Sequence, residues 1–180
     1  MKTLFALTFA TFALGLTPST DVAKHGAIVA MGQGEARISR LGSAEYLLKI
    51  DRQNAGSQHL VVWMERIAQG HRVPVHLHQN NDEIVIVHEG AVAAYLQGHR
   101  AILNAGDLLF APHGTLLGFE NVSHKPATLF FVIDDPTFDG FLRDVSVPAG
   151  EKATPLTFSQ RKMFASRHHI RYRPDIAIVK

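Results

Sequence analysis

The sequence predicts an all-β protein, a sandwich or barrel of many short strands that ends in a short helical extension. Two observations carry most of that expectation. Between about Leu60 and Ile133, runs rich in Val, Ile, Leu and Phe alternate with turn residues at short, even spacing. That pattern belongs to sandwiches and barrels rather than to sheets joined by crossover helices. After Asp134 the pattern changes: Phe138, Phe141, Leu142 and Val145 fall at i, i+3, i+4 and i+7, one stripe of a helix.

Length and composition frame the rest. A chain of 180 residues suffices for one domain with a real core, and its apolar fraction of 46% is ordinary. A net charge of +2 is too small a bias to point to nucleic acid. Cysteine is absent, so no disulfide framework can form and any metal must rely on nitrogen and oxygen ligands.

Taken in order, the chain opens with Lys2 and a short apolar run from Leu4 to Leu16. A basic start before such a run reads as a signal peptide within residues 1–20, too short to span a bilayer. The expected mature protein is exported, periplasmic or secreted, with no stable membrane insertion after processing. Strands are expected at Leu60 to Ala68, Val73 to His78, Glu83 to His88, Ala91 to Gln97, Arg100 to Leu103, Asp107 to Ala111, Thr115 to Glu120 and Ala127 to Ile133. The β domain is placed at residues 25–135. Residues 136–180 form an extension that packs on it, with one helix after Thr137, a loop over Pro148 to Pro155, and a second helix from Thr157 to about Arg167. That second helix is expected to dock Phe158, Met163 and Phe164. Lys152, Arg161, Lys162, Arg167, Arg171 and Arg173 make the extension basic, which reads as a solvated face.

The chemistry concentrates between residues 70 and 90. His76 and His78 are two apart, so on a strand both rings point to one face. Glu83 follows a polar Gln-Asn-Asn-Asp turn, and if the chain reverses there it opens the return strand facing the same pocket. Two imidazoles and a carboxylate form a metal site with open positions for oxygen or substrate. Parity also places Val85, Val87, Thr115 and Phe119 inward, giving an apolar wall suited to a small, partly apolar ligand, unless those side chains simply fill a narrow barrel. Trp63 reads as core, or as part of the mouth.

Gly70, His76, His78, Glu83 and Gly90, followed by Gly106, Pro112, Gly114 and Asn121, stand at spacings that resemble the two motifs of the cupin superfamily. The resemblance covers about Leu60 to Ile133. Scattered positions in the tail, among them Phe138 to Arg143 and Phe164 to Pro174, are similar to small quercetin dioxygenase-like cupins. The resemblance implies a single cupin barrel, a double-stranded β-helix or jelly roll. It implies one divalent transition metal (Fe, Mn, Ni, Cu or Zn) on His76, His78 and Glu83. It also implies an oxygenase acting on a small enolizable or phenolic substrate, with Glu83 able to leave the metal and take the substrate proton.

One position departs from that pattern. The second-motif histidine, the family's fourth ligand, falls on Leu117, which cannot bind a metal. Either the three remaining ligands hold the ion, or the barrel is a metal-free binding pocket. His113, four residues before Leu117, is a weak candidate for replacement. His71 and His88 fall on the opposite strand faces. Two further functions stay open: an exported, non-catalytic small-ligand-binding protein, and a metal-dependent lyase, isomerase or decarboxylase. The last is disfavoured because no inward position carries Lys or Arg. The partner expected is a small-molecule substrate; the oligomeric state stays open, with a homodimer paired through the sheets as one option for which the segment from His25 to Ile50 could supply a strand.

Overall fold

The computed structural model describes residues 26–179. The expected signal peptide lies outside the described residues. Among those described, twelve strands and two helices form: β1 (Glu35–Ser39), β2 (Ala44–Ile50), β3 (Val61–Ile67), β4 (Arg72–His78), β5 (Glu83–Glu89), β6 (Ala91–Leu96), β7 (His99–Asn104), β8 (Leu108–Ala111), β9 (Leu117–Asn121), β10 (Ala127–Ile133), α1 (Phe138–Asp144), β11 (Ser146–Pro148), α2 (Phe158–Arg167) and β12 (Ile170–Tyr172). Every expected strand is present within a few residues.

The strands make two antiparallel sheets, ordered β11-β1-β2-β3-β10-β5-β8 and β12-β4-β9-β6-β7. This is a jelly roll, two sheets wrapped around one core. Alternation decides which side chains enter that core. Val61, Trp63 and Ile67 on β3, Val85 and Val87 on β5, and Leu129, Phe131 and Ile133 on β10 are all buried and belong to one cluster. The cross-strand partners Trp63 and Phe131 stack 4.8 Å apart at 7°, a geometry worth about 0.5–1.5 kcal/mol beyond burial.

Four strands were not foreseen. β1 and β2 lie in the segment from which a strand could be offered to a second copy; within the chain they pair with each other, with β11 and with β3. The extension also does more than pack on the sheets. Its β11 joins one sheet and its β12 joins the other. Three-residue strands have no period to read, and pairing alone makes them strands.

Helix α1 forms as expected. Asp135 accepts hydrogen bonds from the Thr137 backbone N–H (2.8 Å) and hydroxyl (2.6 Å) just before it. The stripe Phe138, Phe141, Leu142 and Val145 is buried. Its Arg143 donates to Asp51 (2.9 Å) and Glu35 (2.6 Å), tying the helix to the first sheet. Helix α2 begins in a capping box between Thr157 and Gln160. Here the docking expectation needs correction: Phe158 and Met163 are exposed, while Leu156, Ala165 and part of Phe164 meet the core. The helix contacts β12 and α1 and packs through Phe164 and Ala165, while Phe158 and Met163 stay exposed.

Candidate metal centre

β4 and β5 are consecutive in the chain yet lie in different sheets. The Gln79 to Asp82 segment is therefore not a hairpin turn, as the sequence suggests, but a crossing from one sheet to the other. Glu83 still faces the same interior as the two histidines, now from across the sandwich. The crossing is pinned at both ends. The N–H groups of Gln79 and Gly114 donate to the carbonyls of His169 (3.0 Å) and His78 (2.6 Å). The Asp82 N–H donates to the Asp134 carboxylate at 2.8 Å.

A bulge in the β4–β9 pairing between Val73 and His76 sets which way the histidines point. Gly118 on β9 fits against this bulge; a Cβ there would lie 3.0 Å from the Cα of Val75. Val75 consequently faces outward, where Ala93, Tyr95, Ile176 and Ile178 cover it. His76 and His78 face inward.

His76, His78 and Glu83 are 7%, 3% and 4% exposed, and one ligand atom from each lies within 4.8 Å of the others. The His76 Nδ1 sits 2.8 Å from the Pro74 carbonyl. A carbonyl only accepts, so Nδ1 carries the hydrogen and Nε2 keeps its lone pair. Burial, reinforced by neighbouring His78, lowers the His76 pKa from 6.5 to about 4, so the ring is neutral at neutral pH. His78 Nε2 and Glu83 Oε2 approach to 3.3 Å without hydrogen-bond geometry, and Glu83 Oε2 is buried with no hydrogen-bond partner. An orphaned buried carboxylate oxygen is costly, and a cation between these atoms would satisfy it. The donor set therefore fits a divalent transition metal; nitrogen and oxygen ligands suit several.

Leu117 is the direct cross-strand partner of His76 and is 1% exposed. The position of the missing ligand thus faces the centre, as the sequence register implies. His113 does not replace it. Its backbone and ring both bond Asp82, at 2.8 and 3.1 Å, on the surface. His71 is a structural acceptor for the Ser43 N–H at 3.1 Å, and His88 lies exposed against Phe130. Trp63 is core: Phe138 of α1 sits 5.3 Å from both its ring and that of His78, so the extension closes the core beside the ligands. Two cavities of about 250 and 310 Å3 lie along β6, β7 and β8, away from the triad. Donor chemistry, not volume, marks the site.

One buried acid was missed. Glu65 on β3 is 6% exposed and carries an inward position between Trp63 and Ile67. Burial raises its pKa from 4.5 to about 8, and the Glu83 charge adds to the rise. The Trp63 indole opposes this rise, although its Nε1 makes no hydrogen bond of ordinary geometry. The parity of Val61, Trp63 and Ile67 could have revealed Glu65. Tyr172, whose ring lies 6.0 Å from His76, had no such signal because β12 was not legible. Burial of its hydroxyl end pushes its pKa up to about 12.

A jelly roll with two histidines and a carboxylate gathered in its interior defines a candidate metalloprotein of the cupin fold. Consistently, residues 63–133 match the model of the Cupin domain family. Structural relatives agree on the fold. A predicted oxalate decarboxylase from Thermotoga maritima is 20% identical, with 60% of this chain and 98% of that one covered and a TM-score of 0.54. A sugar phosphate isomerase from the cupin superfamily of Silicibacter pomeroyi is 22% identical, covering 61% and 76%, with a TM-score of 0.54. An RmlC-like cupin from Shewanella frigidimarina is 17% identical, covering 61% and 92%, with a TM-score of 0.51. Comparison with curated proteins finds no match.

Proposed function

We propose that this protein is a metal-binding cupin of quercetin dioxygenase-like type. In this reading His76, His78 and Glu83 hold one divalent transition metal, and the site acts as an oxygenase on a small enolizable or phenolic substrate. The observation that carries the reading is the triad itself: three buried ligand atoms within 4.8 Å, with the Glu83 oxygen lacking any other partner. When bound, the metal supplies Lewis-acid polarisation of a substrate oxygen and a site for redox chemistry. The chain's own contribution is orientation and dryness. His76 offers Nε2 because Pro74 holds Nδ1. Val85, Val87, Leu117 and Phe119 exclude water from the interior. Glu83 would be the carboxylate available to take a substrate proton in this reading.

The names of the structural relatives describe those proteins; at 20% and 22% identity they support the fold alone. A second reading, a non-catalytic small-ligand-binding cupin, is favoured by Leu117 and by the Phe138 ring set against Trp63 and His78. The protein is further proposed to act outside the cytoplasm and to pair as a homodimer. The exposed apolar side chains of Ile84, Ile86, Leu108 and Phe110 on the outer face of β5 and β8 support the pairing.

The test is metal content by elemental mass spectrometry after purification without chelator or affinity nickel, followed by oxygen uptake with flavonols and other enolizable phenols. Near-stoichiometric iron, manganese, nickel or copper with oxygen consumption is expected. Protein that stays metal-free after reconstitution would leave the binding-protein reading in its place.

A further inference from the structure

The two sides of the sandwich, where the free edges of the sheets meet, are finished differently. On one side the edges are β11 and β12. There α1 packs on β11, α2 packs on β12 and the helices touch each other, so the extension bridges the edges and seals the interior. On the other side the edges are β7 and β8, and the chain passes between them through a short turn from Asn104 to Asp107. A cleft of about 250 Å3 remains on that side. Ala94, Leu96, Ala101 and Leu103 line it from the inner faces of β6 and β7, and Leu109 and Phe110 from β8. His99 is the single polar side chain on its wall. Strand register ties this cleft to the triad. His99, Leu96, Leu117 and His76 are successive cross-strand partners on β7, β6, β9 and β4, so their side chains form one row on one face. At about 4.8 Å per strand, Leu96 stands about 10 Å from His76. On the facing sheet, Leu109 shares a face with Ala111 two residues on, the direct partner of Glu83.

We infer that this cleft holds the apolar body of the triad's ligand. The ligand lies along the row from β7 to β4, with its oxygen end at the coordination position for which Leu117 offers no donor. This rests on the metal-binding reading of the triad and deepens it by naming the ligand class: a small molecule with a metal-seeking oxygen at one end and an alkyl or aryl group reaching about 10 Å from it. The lining decides that class. Apolar walls favour each methylene that leaves water. No Lys, Arg, Asp or Glu side chain lines the cleft, so a phosphate or a sugar would lose its hydration there without partners to replace it. Leu96 and Leu117 are the side chains between the cleft and His76, and a change of rotamer at Leu117 joins the two spaces. Leu117 is then both the missing ligand and the wall that an apolar substrate slides past, a role a metal-bound histidine at that position would not fill.

The test uses Zn(II)-loaded protein, which is redox-silent, and two probes, phenol and 4-butylphenol, followed by methyl NMR titration. Wild-type protein is expected to bind 4-butylphenol roughly tenfold or more tightly than phenol, as two or more methylenes leave water. The longer probe should shift the methyl signals of Leu96, Leu103 and Leu109, which phenol leaves in place. Ala101→Trp puts a large ring into the cleft from an exposed position on the edge strand. It is expected to bring 4-butylphenol down to the affinity of phenol, with phenol binding and zinc content unchanged. If that variant does not fold, the methyl shifts of the wild type carry the test. Equal affinities for the two probes, methyl shifts that avoid the cleft, or an alkyl preference that survives Ala101→Trp overturn the inference, while retained zinc leaves the triad standing. If wild-type protein takes up no zinc, the metal-binding reading falls, and the placement of the ligand's oxygen falls with it.

Discussion

At His76 a single alternation settles two roles. The bulge of β4 turns His76 inward and Val75 outward, and Pro74 fixes the imidazole tautomer. Replacing His76 with Ala should therefore remove bound metal while circular dichroism shows an intact β fold; unchanged metal content would displace the site. Because Leu117 lies directly across from His76, Leu117→His should restore a fourth nitrogen and tighten Zn(II) binding by roughly tenfold or more, read in a chelator competition. The spacing of His76, His78 and Glu83 made this triad legible in sequence, since strand parity needs no knowledge of the partner strand. Glu65 was legible in principle by the same parity. Tyr172 was not, because only pairing with β4 makes its segment a strand.

At the scale of elements, the link between β4 and β5 and the docking of α1 matter most. A hairpin would have put Glu83 beside the histidines, whereas a crossing puts it opposite them, which leaves room between three ligands for an ion. Helix α1 then closes the interior with Phe138, which touches Trp63, Phe141 and His78. Phe138→Ala should lower stability by about 3–5 kcal/mol in urea unfolding and expose Trp63 fluorescence to quenching. Phe158→Ser and Met163→Ser on α2 should stay within about 0.5 kcal/mol of wild type, because both side chains are largely in solvent. Equal losses in the two helices would contradict this division. The helical stripe of α1 was readable because its period matches its burial. That of α2 was not, because only Phe164 of its three large apolar residues packs, while Phe158 and Met163 stay exposed.

At the scale of the whole molecule, two buried groups give opposite pH slopes. In the metal-free protein, Glu65 keeps a proton between pH 4.5 and about 8 that the unfolded chain has released. That contribution is full below pH 4.5 and is lost as pH rises. His76 refuses a proton between about 4 and 6.5 that the unfolded chain accepts, so its contribution is lost as pH falls. Between pH 6.5 and 8 only Glu65 acts, and stability should drop by about 2 kcal/mol. Denaturant titrations at the two pH values should find that drop in wild type and its absence in Glu65→Gln.

The sequence by itself determined the all-β class, the main strands and the three candidate ligands, because alternation and tight spacing are local properties of a chain. Only the tertiary structure decided that β4 and β5 belong to different sheets, that the extension contributes β11 and β12, and that Glu65 and Tyr172 share the interior with His76. Those facts depend on which distant segments pair, and pairing partners leave no period in the sequence of either segment alone.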